Sequence, residues 1–141
     1  MADGIQHRRV VVDEEGGIDL DRAASEIVLG LPIPWRVRTL KFDTQIQGGS
    51  TKGMAKKADS VWIERLHAAG GTVAVNGGEP EKLLLSGTRA LSTPQPLSSG
   101  GKAVTVLAPI EDTLEVELAG DDVYPFTLLG VSPHAQFVGD A

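Results

Sequence analysis

Ile27-Val28-Leu29-Gly30-Leu31-Pro32-Ile33-Pro34-Trp35-Arg36-Val37-Arg38-Thr39-Leu40 is the stretch on which the fold is read. A continuous apolar run enters a Gly/Pro corner, and an alternating run leaves it. Short apolar runs bounded by turn residues predict strands, and residues 27–29 are expected to form a buried one. Pro32 and Pro34 each remove a backbone donor, so the corner belongs at a sheet edge or in a bend. Beyond it, Trp35, Val37, Thr39 and Lys41 share one face of a strand, and Arg36, Arg38, Leu40 and Phe42 share the other. Two arginines on one face predict a surface that meets solvent or a partner, since Arg is enriched in protein contacts.

Working outward, residues 8–12 and 18–20 read as short strands, and residues 1–7 as a flexible arm. Residues 43–58 show no periodicity and are rich in Gly and Lys, so they are expected to be a long loop. Val61-Trp62-Ile63-Glu64-Arg65-Leu66 is a strand, and Ala69-Gly70-Gly71 turns the chain into Thr72-Val73-Ala74-Val75. Asn76-Gly77 is the strongest hairpin signal, because both residues tolerate positive φ; it returns the chain through residues 79–81 into residues 82–85. Residues 86–101 form a second expected loop, rich in Pro, Ser, Thr and Gly. Residues 103–107 are another strand. In Leu114-Glu115-Val116-Glu117-Leu118 the apolar positions face inward and the glutamates outward, the half-buried pattern of an antiparallel sheet. Residues 126–131 close the core, and residues 132–141 are expected to be a tail. The fold class is all-β: one domain over residues 1–141, an antiparallel β-sandwich or distorted barrel with two long loops.

Composition narrows the function. With 17 glycines, 8 prolines and no cysteine in 141 residues, turns are frequent, and disulfides, thiol nucleophiles and Cys-ligated zinc are excluded. A net charge of −6 argues against a general nucleic-acid binder, although an acidic or neutral wall suits a passage through which DNA slides. The first nine residues lack the apolar core of a secretory signal, and no apolar run approaches the roughly 20 residues that span a bilayer, so a soluble protein is expected.

The search for chemistry returns little. His7, His67 and His134 share no ligand spacing, and Glu14-Glu15 and Asp121-Asp122 are turn carboxylates; no metal site is predicted. Gly48-Gly49-Ser50-Thr51-Lys52-Gly53 is superficially close to a phosphate-binding loop. Lys52 follows Thr51 instead of preceding it, however, and a strand rather than a helix follows, so nucleotide binding is rejected. No Gly-x-Ser-x-Gly elbow occurs. The chain is expected to have no catalytic residue, no cofactor and no enzymatic activity. The cationic cluster Lys52, Lys56 and Lys57 reads either as a solvated loop or as a contact with an acidic neighbour, including a second copy of this acidic chain.

The order of these pieces resembles the C-terminal region of phage tail nozzle proteins, the tubular tail proteins of short-tailed phages. The motifs are the strand into Gly30-Leu31-Pro32, the strand ending in Thr39-Leu40, the Ser/Thr glycine loop, Lys56-Lys57, and Val61-Trp62-Ile63-Glu64-Arg65-Leu66. The resemblance starts at Val10-Val11-Val12-Asp13-Glu14-Glu15-Gly16-Gly17-Ile18-Asp19-Leu20 and ends at Tyr124-Pro125-Phe126-Thr127-Leu128-Leu129-Gly130-Val131. It therefore covers nearly the whole chain, through short motifs. Typical nozzle proteins are several times longer and carry a β-propeller, so the likeness is to their terminal domain.

The resemblance implies a structural virion protein made in the host cytoplasm and placed in the tail. It would be one subunit of a ring, six-fold in the family, around the DNA exit channel. Expected partners are its own copies, neighbouring tail proteins such as an adaptor or fibre, and passing DNA bound without sequence specificity. The residues expected at subunit or partner contacts are Arg36, Arg38, Ser50, Thr51, Lys52, Lys56, Lys57 and Arg65. The alternative is a monomeric β-sandwich module binding a ligand such as carbohydrate. Such modules present aromatic platforms, and two Trp, one Tyr and three Phe make a thin supply.

Overall fold

A computed structural model describes residues 1–5, 10–20, 22–31, 33–43, 45–46, 49–83, 96–121 and 123–138. Among them there is no helix. Nine strands follow in order: β1 Trp35–Arg38, β2 Gln45–Ile46, β3 Gly49–Ser50, β4 Ala55–Ala68, β5 Thr72–Val75, β6 Glu81–Lys82, β7 Ser98–Thr105, β8 Val116–Gly120 and β9 Thr127–Val138. Two antiparallel sheets form the sandwich. One runs β1-β8-β5-β6 and the other β7-β4-β9, while β2 and β3 pair as a separate two-stranded ribbon.

The core lies between the sheets. Leu114, Val116 and Leu118 alternate inward from one sheet beside Val73, Val75 and Leu83. They meet Ala58, Val61 and Ile63 of β4, with Val106 at the margin. Each fully buried Val, Leu or Ile contributes roughly 1.5–3 kcal/mol by leaving water, which makes this inter-sheet layer the main source of stability. The Asn76-Gly77 turn forms as expected: φ is +50° and +68°, and the Gly78 amide donates to the Val75 carbonyl at 2.8 Å. Asn76 is also a tie across the sheet. Its Nδ2 donates to the Thr113 carbonyl and its Oδ1 accepts from the Glu115 amide, each at 2.8 Å.

β4 is the central strand of its sheet and is longer than its sequence pattern suggests. Its buried positions are 56 and 58, then 61, 63 and 65, then 68. The phase changes twice because β4 carries an extra residue at two of the three register shifts in its ladders; at the third, between Glu64 and Arg65, the extra residue lies on β9. Ala58 faces Ala135 but Ser60 faces His134, which leaves Asp59 as the extra residue. On the other side Arg65 faces Gly100 while Ala68 faces Ser98, and His67 takes a φ of +44° between them. A bulge inserts one residue and so moves every later side chain to the opposite face.

Several expectations are corrected here. The segment 43–58 is not one long loop: it holds the β2–β3 ribbon, and residues 55–58 belong to β4. Residues 98–101 are the start of β7 rather than loop, because they pair with β4; residues 84–95 lie outside the described residues. Residues 132–138 are not a tail, since β9 continues through them and Ala135 to Val138 pair with the start of β4. The largest correction concerns residues 27–29. They are exposed, not buried, and only Ile27 makes a bridge, to Ala2. Residues 10–12 and 18–20 are likewise not strands. The arm at residues 1–5 is pinned to residues 25–28: Met1 and Val28 exchange two hydrogen bonds at 2.8 Å, and the Asp3 carboxylate accepts from the Ser25 and Glu26 amides.

Candidate assembly interface

The eight residues singled out as contacts divide into three groups. Arg36 and Arg38 stand on the outer face of β1, as the alternation requires, but they are engaged within the chain. Arg36 Nε lies 3.2 Å from Glu117, and Arg38 reaches Glu115 at 2.9 Å and Glu117 at 2.7 Å. The hydrogen bond to Glu117 comes first among the causes that raise the Arg38 pKa, followed by the charge of Glu115. β1 and β8 are adjacent, so alternation on both strands brings two arginines over two glutamates. Exposed pairs of this kind are worth about 0–1 kcal/mol each; they chiefly fix register.

The second group is turned inward. Thr51 is fully buried and its Oγ1 donates to Asp43 at 2.8 Å, where Ser50 Oγ also donates. Lys56, expected to be a free cation, is only 3% exposed, and its Nζ donates to the Asp112 carbonyl at 2.8 Å. Its backbone pairs with Glu111 at 2.6 and 3.1 Å. Lys56 therefore meets residues 111–112 of its own chain, through their backbone, and is not presented to an acidic neighbour. Arg65 is 5% exposed, its Nε has no hydrogen-bond partner, and burial lowers its pKa. Thr51, Lys56 and Arg65 thus serve the inside of the domain. Of the eight, only Lys52 and Lys57 are exposed cations that make no ion pair among the described residues.

What the sequence reading missed is the apolar surface. Residues 10–33 contribute no buried residue among those described. Leu31 is 90% exposed and Ile33 81%, and Ile27, Val28 and Leu29 are about half exposed or more. Val37 in β1, an edge strand of its sheet, and Leu40 just beyond it are exposed as well. Monomers rarely leave contiguous apolar surface of this kind uncovered. The signal was present as the longest apolar run in the chain, but a run of that kind marks a buried element without saying what buries it.

Two of the cavities that adjoin the sandwich are lined by described residues. The larger, of about 650 Å³, is lined by Trp35, Arg36, Gly71, Lys82 and Gly120. Trp35 spends one ring face on Phe126, with centroids 4.7 Å apart. The smaller, of about 290 Å³, opens between Phe42 and Phe137. On the outer face of the β7-β4-β9 sheet, Trp62 is half exposed and lies across Gly101, where a Cβ would collide with the indole. No cluster of three or more metal-binding side chains occurs among the described residues.

Fold and surface together define a two-sheet antiparallel sandwich with an exposed apolar arm. No protein-family model matches the chain, and no curated protein matches it.

Proposed function

We propose that the chain is a structural subunit of a phage tail, nozzle or nozzle-like, that acts as one member of a ring around the DNA exit channel. The observation that carries this reading is the exposed apolar arm at residues 27–33, which needs a second protein surface to be covered. The resemblance of the motif order to the terminal domain of nozzle proteins supplies the ring and the channel. The net charge of −6 suits a wall along which DNA slides without sticking. Partners in this reading are further copies and the neighbouring tail proteins.

The test is sedimentation velocity across a concentration series, with negative-stain imaging of the heaviest species. Concentration-dependent association into closed annular particles is expected. A chain that stays monomeric up to its solubility limit would overturn the reading.

A second reading, a carbohydrate-binding module, is favoured by one feature: the half-exposed Trp62 lying across Gly101. Retention on cellulose, chitin or peptidoglycan that is lost in Trp62→Ala would support it, and no retention by the parent chain would remove it.

A further inference from the structure

We propose that the outer face of the β7-β4-β9 sheet binds an uncharged oligosaccharide, with one sugar stacked on Trp62 and the chain held between Glu64 and His134. The inference rests on the carbohydrate reading, names the groups that would make it selective, and needs no ring of subunits. β4 presents Ser60, Trp62 and Glu64 outward, because Val61, Ile63 and Arg65 between and beyond them are buried. Opposite them on β7 stand Thr105, Ala103 and Gly101, none larger than threonine. The indole uses this low ground: it occupies the place where a side chain at 101 would stand, and half of its surface stays exposed.

Polar groups flank the indole along the strand. Glu64 faces glycine on both neighbouring strands, Gly101 on β7 and Gly130 on β9. Unlike Glu115 and Glu117, it makes no ion pair or hydrogen bond among the described residues. On the other side His134, the cross-strand partner of Ser60, places Nδ1 2.9 Å from the Asp59 carboxylate, to which Gln136 donates at 3.3 Å. A carboxylate only accepts, so Nδ1 carries the hydrogen and Nε2 is the ring nitrogen left for a ligand. Alternate residues on one strand face are roughly 6.6 Å apart, so the Glu64 and His134 rungs stand roughly 13 Å apart with Trp62 midway.

A sugar ring offers an apolar C–H face to an aromatic ring and a rim of hydroxyls that need donors and acceptors. The order polar, aromatic, polar meets both needs over a span that an oligosaccharide covers and a single sugar does not. Other ligands of an exposed Trp fit worse. A nucleic acid would bring phosphates up to Glu64 on a chain of net charge −6, and the same charge disfavours acidic sugars. A quaternary ammonium wants a cage of aromatic faces, and these rungs carry a single indole.

The two tryptophans give two indole N–H signals in a heteronuclear NMR spectrum, and Trp62→Phe assigns them. The full chain is titrated with cellopentaose, chitopentaose and trigalacturonate. At least one of the two neutral sugars is expected to shift the Trp62 signal and leave that of Trp35 in place, with trigalacturonate binding about tenfold more weakly or not at all. Trp62→Ala should weaken binding by about tenfold or more. Glu64→Ala and His134→Ala should each weaken it by about threefold to tenfold, at unchanged circular dichroism, as loss of one hydrogen bond requires. If a neutral sugar binds while the Trp62 signal stays fixed, or while Glu64→Ala and His134→Ala both bind as well as the parent, this site is wrong and the carbohydrate reading stands. Trigalacturonate binding as tightly as the neutral sugars would overturn the site in the same way. If neither neutral sugar binds, the site is wrong, and absence of retention on every polysaccharide named above removes the carbohydrate reading with it.

Discussion

Leu114-Glu115-Val116-Glu117-Leu118 and Ile27-Val28-Leu29-Gly30-Leu31 are both short, apolar and rich in strand-forming residues, yet they end in opposite places. In the first, the three apolar side chains are at most 2% exposed; in the second, Leu31 is 90% exposed. The difference is not hydrophobicity, since the exposed stretch is the more apolar of the two. The stretch at residues 114–118 has a partner on each side, β1 and β5, and a second sheet across the core. Its glutamates also have arginines to meet. Among the described residues, 27–31 have one short ribbon to residues 1–5 and no facing sheet. An apolar run is buried only where another element completes the layer.

The largest effect should come from placing the same charge in both stretches. Val116→Asp leaves an unpaired carboxylate in the fully buried layer and should prevent folding, at a cost of several kcal/mol. Leu31→Asp should change the stability of the isolated chain by less than about 0.5 kcal/mol. Thermal melts by circular dichroism read both, and a Val116→Asp protein that still melts cooperatively would break the comparison.

Next comes the pair of adjacent lysines. Lys56→Glu exchanges a buried ammonium bonded to the Asp112 carbonyl for a carboxylate facing that same oxygen, and should cost more than about 3 kcal/mol. Lys57→Glu, on the exposed face, should cost under about 0.5 kcal/mol. Equal urea midpoints for the two variants would return Lys56 to the surface.

Asn76→Ala removes both side-chain bonds to the segment entering β8 and leaves an alanine at positive φ, so a loss of about 1–3 kcal/mol is expected. Unchanged stability would mean that the turn, and not this tie, sets the register of β5 against β8.

The smallest effect concerns the β4 bulge. Nδ1 of His134 lies 2.9 Å from Asp59 Oδ1, and this hydrogen bond is the first cause holding the Asp59 carboxyl below its ordinary value. A lowered carboxylate pKa contributes stability above the unfolded value, near 3.9, and loses it as pH falls through the folded value. His134→Ala should therefore raise the Asp59 titration midpoint, followed by carboxyl NMR shifts, and should slightly weaken the chain above about pH 4, the difference vanishing as pH falls below the folded value. A midpoint that does not move would assign the shift to the bulge backbone instead.

What the sequence by itself determined is local. Alternation placed Leu114, Val116 and Leu118 inward and Arg36 and Arg38 outward, because side-chain direction along a strand has a period of two whatever the surroundings. The Asn76-Gly77 turn was equally legible, since positive φ is a property of the two residues themselves. Only the tertiary structure decided the rest. β4 could not be read as 14 residues because its two bulges shift the buried positions from even to odd and back, and a bulge depends on the partner strands. Ser132 to Val138 read as a tail although Val131, Pro133, Ala135 and Phe137 alternate with polar Ser132, His134 and Gln136, and they are strand because β4 offers its edge. Lys56 and Arg65 read as surface cations by residue type, and the inward phase of β4 buried them. The run at residues 27–33 read as core because it is apolar, and the absence of a facing sheet within the described residues left it outside.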